Sequence, residues 1–189
     1  MPFKASIGPV NREMVKYSWR QGCPVDLKDL RLITMTYWGW DRKPQEDGQL
    51  VVNAKVAQKI ADTFKRLYDQ RFPIRRMELV DKYKGSDFDS IEADNTSAFN
   101  CRAATGSSNW SRHAYGMAVD INPGENPYVE PGGRVYHPRF EKFYKRRNAK
   151  DKGVMVAGDK VVKGFEAMGW KWGGYWSGAK DYQHFSDSR

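Results

Sequence analysis

A chain of 189 residues fits one domain, at roughly 100–200 residues per domain, and is long enough to bury a core without disulfide staples. Its 7 Trp, 10 Tyr and 9 Phe exclude a disordered chain, and no apolar run approaches the ~20 residues of a membrane-spanning helix. The formal net charge of +9 draws the chain to polyanions, which include nucleic acid, anionic lipid and anionic cell wall, without choosing among them.

The N-terminus carries Lys4, Arg12, Glu13 and Lys16 and has no apolar core segment, so it does not read as a secretory signal. Either a signal has been removed, or the protein leaves its cell by another route. Cys23 and Cys101 lack zinc-finger spacing. They are either two buried thiols or one disulfide, the latter implying an oxidising compartment.

Leu32 to Trp38 is rich in β-branched and aromatic residues and reads as a strand, followed by a polar, turn-like Asp41 to Gly48. Asn53 then caps a helix whose inward stripe is Val56, Ile60, Phe64 and Leu67, with Ala57 and Ala61 beside it and Pro73 beyond its end. Ile74 to Val80 reads as a further strand with Met77 and Leu79 on one face, and Lys82 to Asn95 as a surface loop or short helix. Arg139 to Lys152 holds seven Lys or Arg and reads as a solvated basic face. Asp159 to Gly169 is a second short helix with Val161, Val162, Phe165 and Met168 inward and Gly169 as its stop. Mixed helices and strands without βαβ units predict an α+β fold in a single domain, with residues 1–50 as a segment packed on a core of residues 51–189.

Two of the three histidines sit in dense polar contexts: Ser111-Arg112-His113-Ala114-Tyr115-Gly116-Met117-Ala118-Val119-Asp120, and Asp181-Tyr182-Gln183-His184-Phe185. Gly116 supplies a turn and Ala118 to Ile121 a strand, which together bring His113 and Asp120 to one side. A histidine from a later strand completes a two-His, one-carboxylate set, and zinc held by three protein ligands keeps a fourth position for water. Such a site also needs a base, and Asp181 lies three residues before His184. Arg102 is a candidate cation for a substrate carboxylate or a developing oxyanion, with Arg75 and Arg76 as competitors. His137, before Pro138, reads as a loop residue, and Trp170, Trp172 and Trp176 as core and cleft wall.

The run Ser-x-His-x-x-Gly-x-Ala-x-Asp from Ser111, continuing to Pro123, and the later Trp172-Gly173-Gly174-Tyr175-Trp176 and Asp181-Tyr182-Gln183-His184-Phe185 resemble a known family. It is the VanY-like D-alanyl-D-alanine carboxypeptidase/L-alanyl-D-glutamate endopeptidase family of zinc peptidases acting on peptidoglycan. Asn95 to Arg102 also resembles family members, so the likeness runs in ordered blocks from about residue 50 to the end. The resemblance implies a small antiparallel sheet carrying the zinc site with flanking helices, an architecture shared with the hedgehog signalling domain. It implies Zn²⁺ on His113, Asp120 and His184, Asp181 as general base, and Arg102 as a catalytic cation. Ser111, Arg102, Trp176 and Tyr182 would meet the substrate. Many relatives read His-Phe-Glu where this chain has His184-Phe185-Ser186.

The implied partners are peptidoglycan stem peptides and, through the basic stretch, anionic wall polymers. Nucleic acid is not implied, since no finger, RNP-like or helix-turn-helix signature accompanies the charge. The implied state is a monomer acting in the cell wall or outside the cell, either a bacterial enzyme trimmed of its signal or a phage endolysin. The alternative is a non-catalytic wall-binding or signalling domain on the same scaffold. Which stem-peptide bond is cut depends on loop shape.

Overall fold

The computed structural model describes residues 1–188. Residue 189, the last of the expected core segment, lies outside them. The strands and helices in chain order are β1 (Ala5–Pro9), β2 (Leu30–Trp38), β3 (Pro44–Asn53), α1 (Ala57–Asp69), α2 (Asp87–Glu92), β4 (Ala118–Asp120), β5 (Tyr128–Val129), α3 (Glu141–Lys145), α4 (Lys160–Ala167), β6 (Lys171–Trp172), β7 (Lys180–Asp181) and β8 (His184–Ser186). The α+β expectation holds: two three-stranded antiparallel sheets, β1-β2-β3 and β4-β8-β6, with a β5-β7 pair and helices packed on them.

The polar run expected as a turn from Asp41 to Gly48 is mostly strand, because β3 begins at Pro44 and its partner β2 supplies the ladder that its own composition does not announce. Gly48 lies opposite Met35, where a Cβ would fall 2.7 Å from the Tyr37 ring and 2.9 Å from the Met35 carbonyl, so only glycine lets the two strands close. β3 runs through residue 50, where the sequence suggested a division.

Asn53 ends β3 and does not cap α1, whose N-cap is Val56. The Asn53 side chain instead accepts from the Lys55 N–H (3.0 Å) and donates to the Tyr115 carbonyl (3.1 Å). The stripe itself is as read: Ile60, Phe64 and Leu67 are buried in the main core with Ile33, Leu50 and Val52 of the first sheet. α4, capped by Asp159 Oδ1 accepting from the Val162 N–H, crosses α1 where the Phe64 and Phe165 rings meet edge to face. Phe165 stacks in turn on Phe185 of β8 at 4.1 Å, which ties the helical layer to the second sheet.

Ile74 to Val80 forms only isolated bridges, not a ladder, and Met77 and Leu79 turn into different apolar clusters. That second cluster gathers Val10, Val15, Val25, Leu30, Val51, Phe99 and Cys101. Cys23 and Cys101 form a disulfide across 78 residues, with Cα atoms 6.0 Å apart. The open question of thiols against disulfide is thereby decided in the structure, and the N-terminal arm is fastened to the segment that leads into Arg102.

The basic stretch is not simply a solvated face. Arg147 reaches inward, donating to Asn126 Oδ1 (2.8 Å) and the carbonyls of Met155 (2.5 Å), Phe143 (3.1 Å) and Glu125 (3.2 Å), and lies 3.9 Å over the Tyr182 ring. Its positive charge is disfavoured by burial, which pushes its pKa down to about 10.

Candidate metal centre and active site

Strand register assembles the site. In the β4–β8 pair Asp120 lies directly opposite His184, Val119 opposite Phe185 and Ala118 opposite Ser186. Alternation then sends Val119 and Phe185 into the core and leaves Asp120, His184 and Ser186 on the other face. The small Ala118 leaves room beside Ser186 on that face.

His113 arrives from a one-turn helix over Arg112–Tyr115, entered through Ser111, whose Oγ accepts from the His113 N–H. The turn ends at Gly116 with φ +66°, where a Cβ would lie 2.6 Å from the Asn53 nitrogen. Left-handed backbone and close approach both require glycine there. The chain then runs straight into β4, so seven residues separate two groups that meet in space.

His113 Nε2 lies 3.1 Å from Asp120 Oδ2, and His184 Nδ1 lies 3.1 Å from Asp120 Oδ1. One donor atom from each of the three buried side chains falls within 4.8 Å of the others. The tautomers follow from the outer partners. His113 Nδ1 faces the Ala98 carbonyl at 2.6 Å, which can only accept, so that nitrogen carries a hydrogen. Ser186 Oγ donates to the Ser188 carbonyl and so accepts from His184 Nε2–H at 3.0 Å. The two remaining ring lone pairs, on His113 Nε2 and His184 Nδ1, both converge on a carboxylate.

Three acceptors aimed at one point need a cation between them. Two neutral imidazoles and one carboxylate are the donor set of a divalent transition metal, and each imidazole is held by an outer hydrogen bond as metal-binding histidines are. The residues therefore fit a bound ion. The carboxylate and the His113 imidazole also act on one another's charge. Burial opposes charge on both partners, but each supports the other: the Asp120 carboxylate raises His113, and the two imidazoles hold Asp120 well below the usual carboxylate range.

Asp181 projects from β7 into the same cavity, its Oδ2 4.0 Å from His184 Nδ1 and its Oδ1 buried without a hydrogen-bond partner. Its side chain is 17% exposed. Burial, aided by the nearby carboxylates of Asp120 and Asp87 and opposed by His184 and Arg102, pushes its pKa up to about 7. A carboxylate so placed can take and return a proton near neutrality.

The cleft encloses about 180 Å³ and is lined by the three ligand candidates together with Asp181, Arg102, Ser111 and Trp176. Trp176 packs 5.4 Å from the His184 ring. Tyr182 does not line it: alternation in the chain beside Asp181 turns its ring towards Trp172 and Tyr144, under Arg147. Arg75 and Arg76 are also elsewhere; Arg75 pairs with Asp94 (2.5 Å) and Glu125 (2.8 Å), and Arg76 Nε donates to the Ala93 carbonyl. Trp170 and Trp172 are buried in the core as expected.

Sequence reading missed the facing wall, made by Asp87 and Ile91 of α2 and by Tyr128 and Tyr136. His137, read as a loop residue, is 2% exposed; its Nδ1 lies 2.6 Å from Glu92 Oε1 and its ring stacks on Phe88. It clamps the Tyr136 segment to α2, a contact between positions 45 residues apart with no local signature.

The comparison with known families rests on the region these ligands occupy. Residues 105–187 match the family model described as D-alanyl-D-alanine carboxypeptidase. The resemblance to VanY-like peptidases is thus borne out for the part of the chain holding His113, Asp120, Asp181 and His184, and it supports peptidase activity. It starts later than the position near residue 50 that the motifs suggested, so Arg102 stands upstream of it. No curated protein and no solved structure matches the chain. Among the described residues no helix is long and apolar enough to cross a membrane.

Proposed function

We propose that this protein is a zinc-dependent peptidase that hydrolyses a peptide bond in the stem peptide of peptidoglycan, either as a D-Ala-D-Ala carboxypeptidase or as an L-Ala-D-Glu endopeptidase. The observation that carries the reading is the convergence of His113 Nε2, His184 Nδ1 and both Asp120 oxygens beside an unpartnered Asp181 carboxylate oxygen. His113, Asp120 and His184 would hold the ion. When bound, it supplies Lewis-acid polarisation of the scissile carbonyl and lowers the pKa of a water. Asp181 takes the proton of the attacking water and returns it to the leaving amine. Arg102 faces negative charge, on a substrate carboxylate or on the carbonyl oxygen as charge develops there. Ser111 and Trp176 bound the volume in which the peptide lies.

The non-catalytic alternative is disfavoured by Asp181, because a binding site that only holds an ion has no use for a buried carboxylate beside the ligands. The disulfide and the peptidoglycan substrate support action outside the cytoplasm, in the cell wall, by a secreted enzyme or an endolysin. The net charge of +9 supports attraction to anionic wall polymers, with no role for nucleic acid, and the protein acts as a monomer.

Metal analysis and digestion of purified walls with and without chelator test the reading. His184→Ala should lose both metal and turnover, whereas Asp181→Ala should keep the metal and lose about 10²–10⁴-fold in kcat. Full activity of Asp181→Ala would remove it as the base. The masses of the released muropeptides name the bond cut.

A further inference from the structure

Arg102 is held in an unusual way for a cleft arginine. Its Nη2 pairs with Asp87 Oδ1 at 3.2 Å, and its Nη1 donates to the Ala103 carbonyl at 3.1 Å. Its Nε is buried and has no hydrogen-bond partner. A guanidinium carries five N–H groups; the Ala103 contact uses one of them as a hydrogen bond, and the Asp87 contact is an ion pair. Most of its donors are left for something else, and the side chain lines the cleft. A guanidinium takes both oxygens of a carboxylate through two of its N–H groups.

Asp87 and Arg102 come from different parts of the fold. Asp87 opens α2, whose cap is Ser86 Oγ accepting from the Asp89 N–H, while Arg102 follows the disulfide-bonded Cys101. Both line the same cavity as the ligand candidates. Arg102 has many rotamers, and a flexible cation at a cleft wall loses entropy on engaging an anion unless it is already fixed.

We propose that Asp87 is a positioning residue: its carboxylate holds the Arg102 guanidinium at the cleft wall so that it meets a carboxylate of the substrate that flanks the bond being cut. This rests on the peptidase reading above. The chemistry it selects is a peptide with a free carboxylate next to the scissile amide. In a stem peptide that carboxylate is the C-terminal one for a carboxypeptidase and the α-carboxylate of the γ-linked glutamate for the endopeptidase.

The simpler role for Asp87 is an acidic residue in the first turn of α2, favoured by the helix dipole. Asp89 stands in the same turn, exposed and without an ion pair, and serves as the control for that role.

The experiment uses the zinc-loaded full chain and two probes. One is the pentapeptide L-Ala-γ-D-Glu-L-Lys-D-Ala-D-Ala, and the other is the same peptide with both the glutamate α-carboxylate and the C-terminal carboxylate amidated. Asp87→Ala should lower kcat/KM on the acid peptide about tenfold, mainly through KM, and change the diamide less than about twofold. Asp87→Asn, which keeps an acceptor, should fall between, and Asp89→Asn should leave the ratio of the two probes unchanged. In an Arg102→Ala background, Asp87→Ala should cost nothing further. Equal losses on both probes, or additive losses with Arg102→Ala, overturn the proposal. A wild-type enzyme that cleaves neither probe counts against the peptidase reading, and a second measurement then judges Asp87 alone. The Arg102 Nε–H resonance should be sharp in the wild type and exchange-broadened in Asp87→Ala; an unchanged resonance overturns the positioning role.

Discussion

Removing the Cys23–Cys101 link by the double substitution Cys23→Ala/Cys101→Ala probes how the N-terminal arm supports the cleft. The link closes 78 residues. On the chain-entropy view, with a loop of that length, its loss frees about 4.5 kcal/mol of denatured-state entropy. For a chain of 189 residues the entropy of unfolding is about 0.4 kcal/mol per degree, so Tm should fall by about 11 °C. The cleft itself should survive at 25 °C, because other contacts also hold Cys101: its N–H donates to the Ser18 carbonyl (2.9 Å), and its carbonyl accepts from Arg20 Nη1 (2.8 Å). Ser18 is in turn bound to Asp81 through its backbone and hydroxyl. Differential scanning calorimetry of both proteins, with turnover measured at 25 °C, checks both halves. A Tm change under about 3 °C would refute the claim that the arm's closure stabilises the domain. A large loss of turnover at 25 °C would refute the claim that hydrogen bonds alone keep the Arg102 segment in place.

Ser186→Ala leaves His184 Nε2–H without its buried acceptor and frees the ring's tautomer; metal affinity by chelator competition should weaken about tenfold or more, and unchanged affinity would count against the assignment of Nδ1 as donor. Burial, reinforced by the adjacent Asp94 carboxylate and opposed by Arg75, pushes Glu125 up to about 8. The folded state therefore holds a proton that the unfolded chain has released above pH ~4.5, so stability falls as pH rises from there through about 8. Glu125→Gln, which mimics the protonated form, should flatten that loss, gaining a few kcal/mol (order of magnitude) relative to wild type at pH 9 but not at pH 4; parallel melts that show the same pH slope would refute it. Arg147→Ala strips a donor from four acceptors around residues 125–155 and should cost about 3–5 kcal/mol in urea unfolding, whereas Lys150→Ala, on the exposed side of the same stretch, should cost under about 0.5 kcal/mol.

The parts of the fold that were legible in the sequence are those specified locally. The α1 stripe and the α4 stripe carry their own period, and Gly116 and Gly169 mark backbone that side-chain-bearing residues avoid. Where a residue's role depends on a partner far along the chain, the same cues misled. Asn53 has a capping side chain, but the β2–β3 ladder claims its backbone, so the helix starts three residues later than a cap there would place it. Asp41 to Gly48 is polar enough to read as a turn, yet the strand opposite supplies its hydrogen bonds. Arg147 is one of seven cations in a run that looks uniformly solvated, and the folded positions of Asn126 and Met155 draw it inward.

The same distinction divides the site. His113, Gly116, Asp120 and His184 form a pattern because one turn and one strand pair hold them, and strand register fixes which side chains share a face. That half lies inside the matched residues 105–187. The opposite wall has no such local rule. Asp87, Ile91 and Tyr136 reach the cleft because His137 grips Glu92, and Arg102 reaches it because Ser18 and Arg20 of the N-terminal arm hydrogen-bond the Cys101 backbone one residue before. A metal centre demands near-fixed geometry and so leaves a spacing in the sequence, whereas a substrate wall can be built by any contact that holds the right side chain at the right depth. On the proposed reading, the ligand half would carry the chemistry and the wall built by residues 87–102 and 128–140 would select the substrate; of that wall only 128–140 falls inside the matched residues.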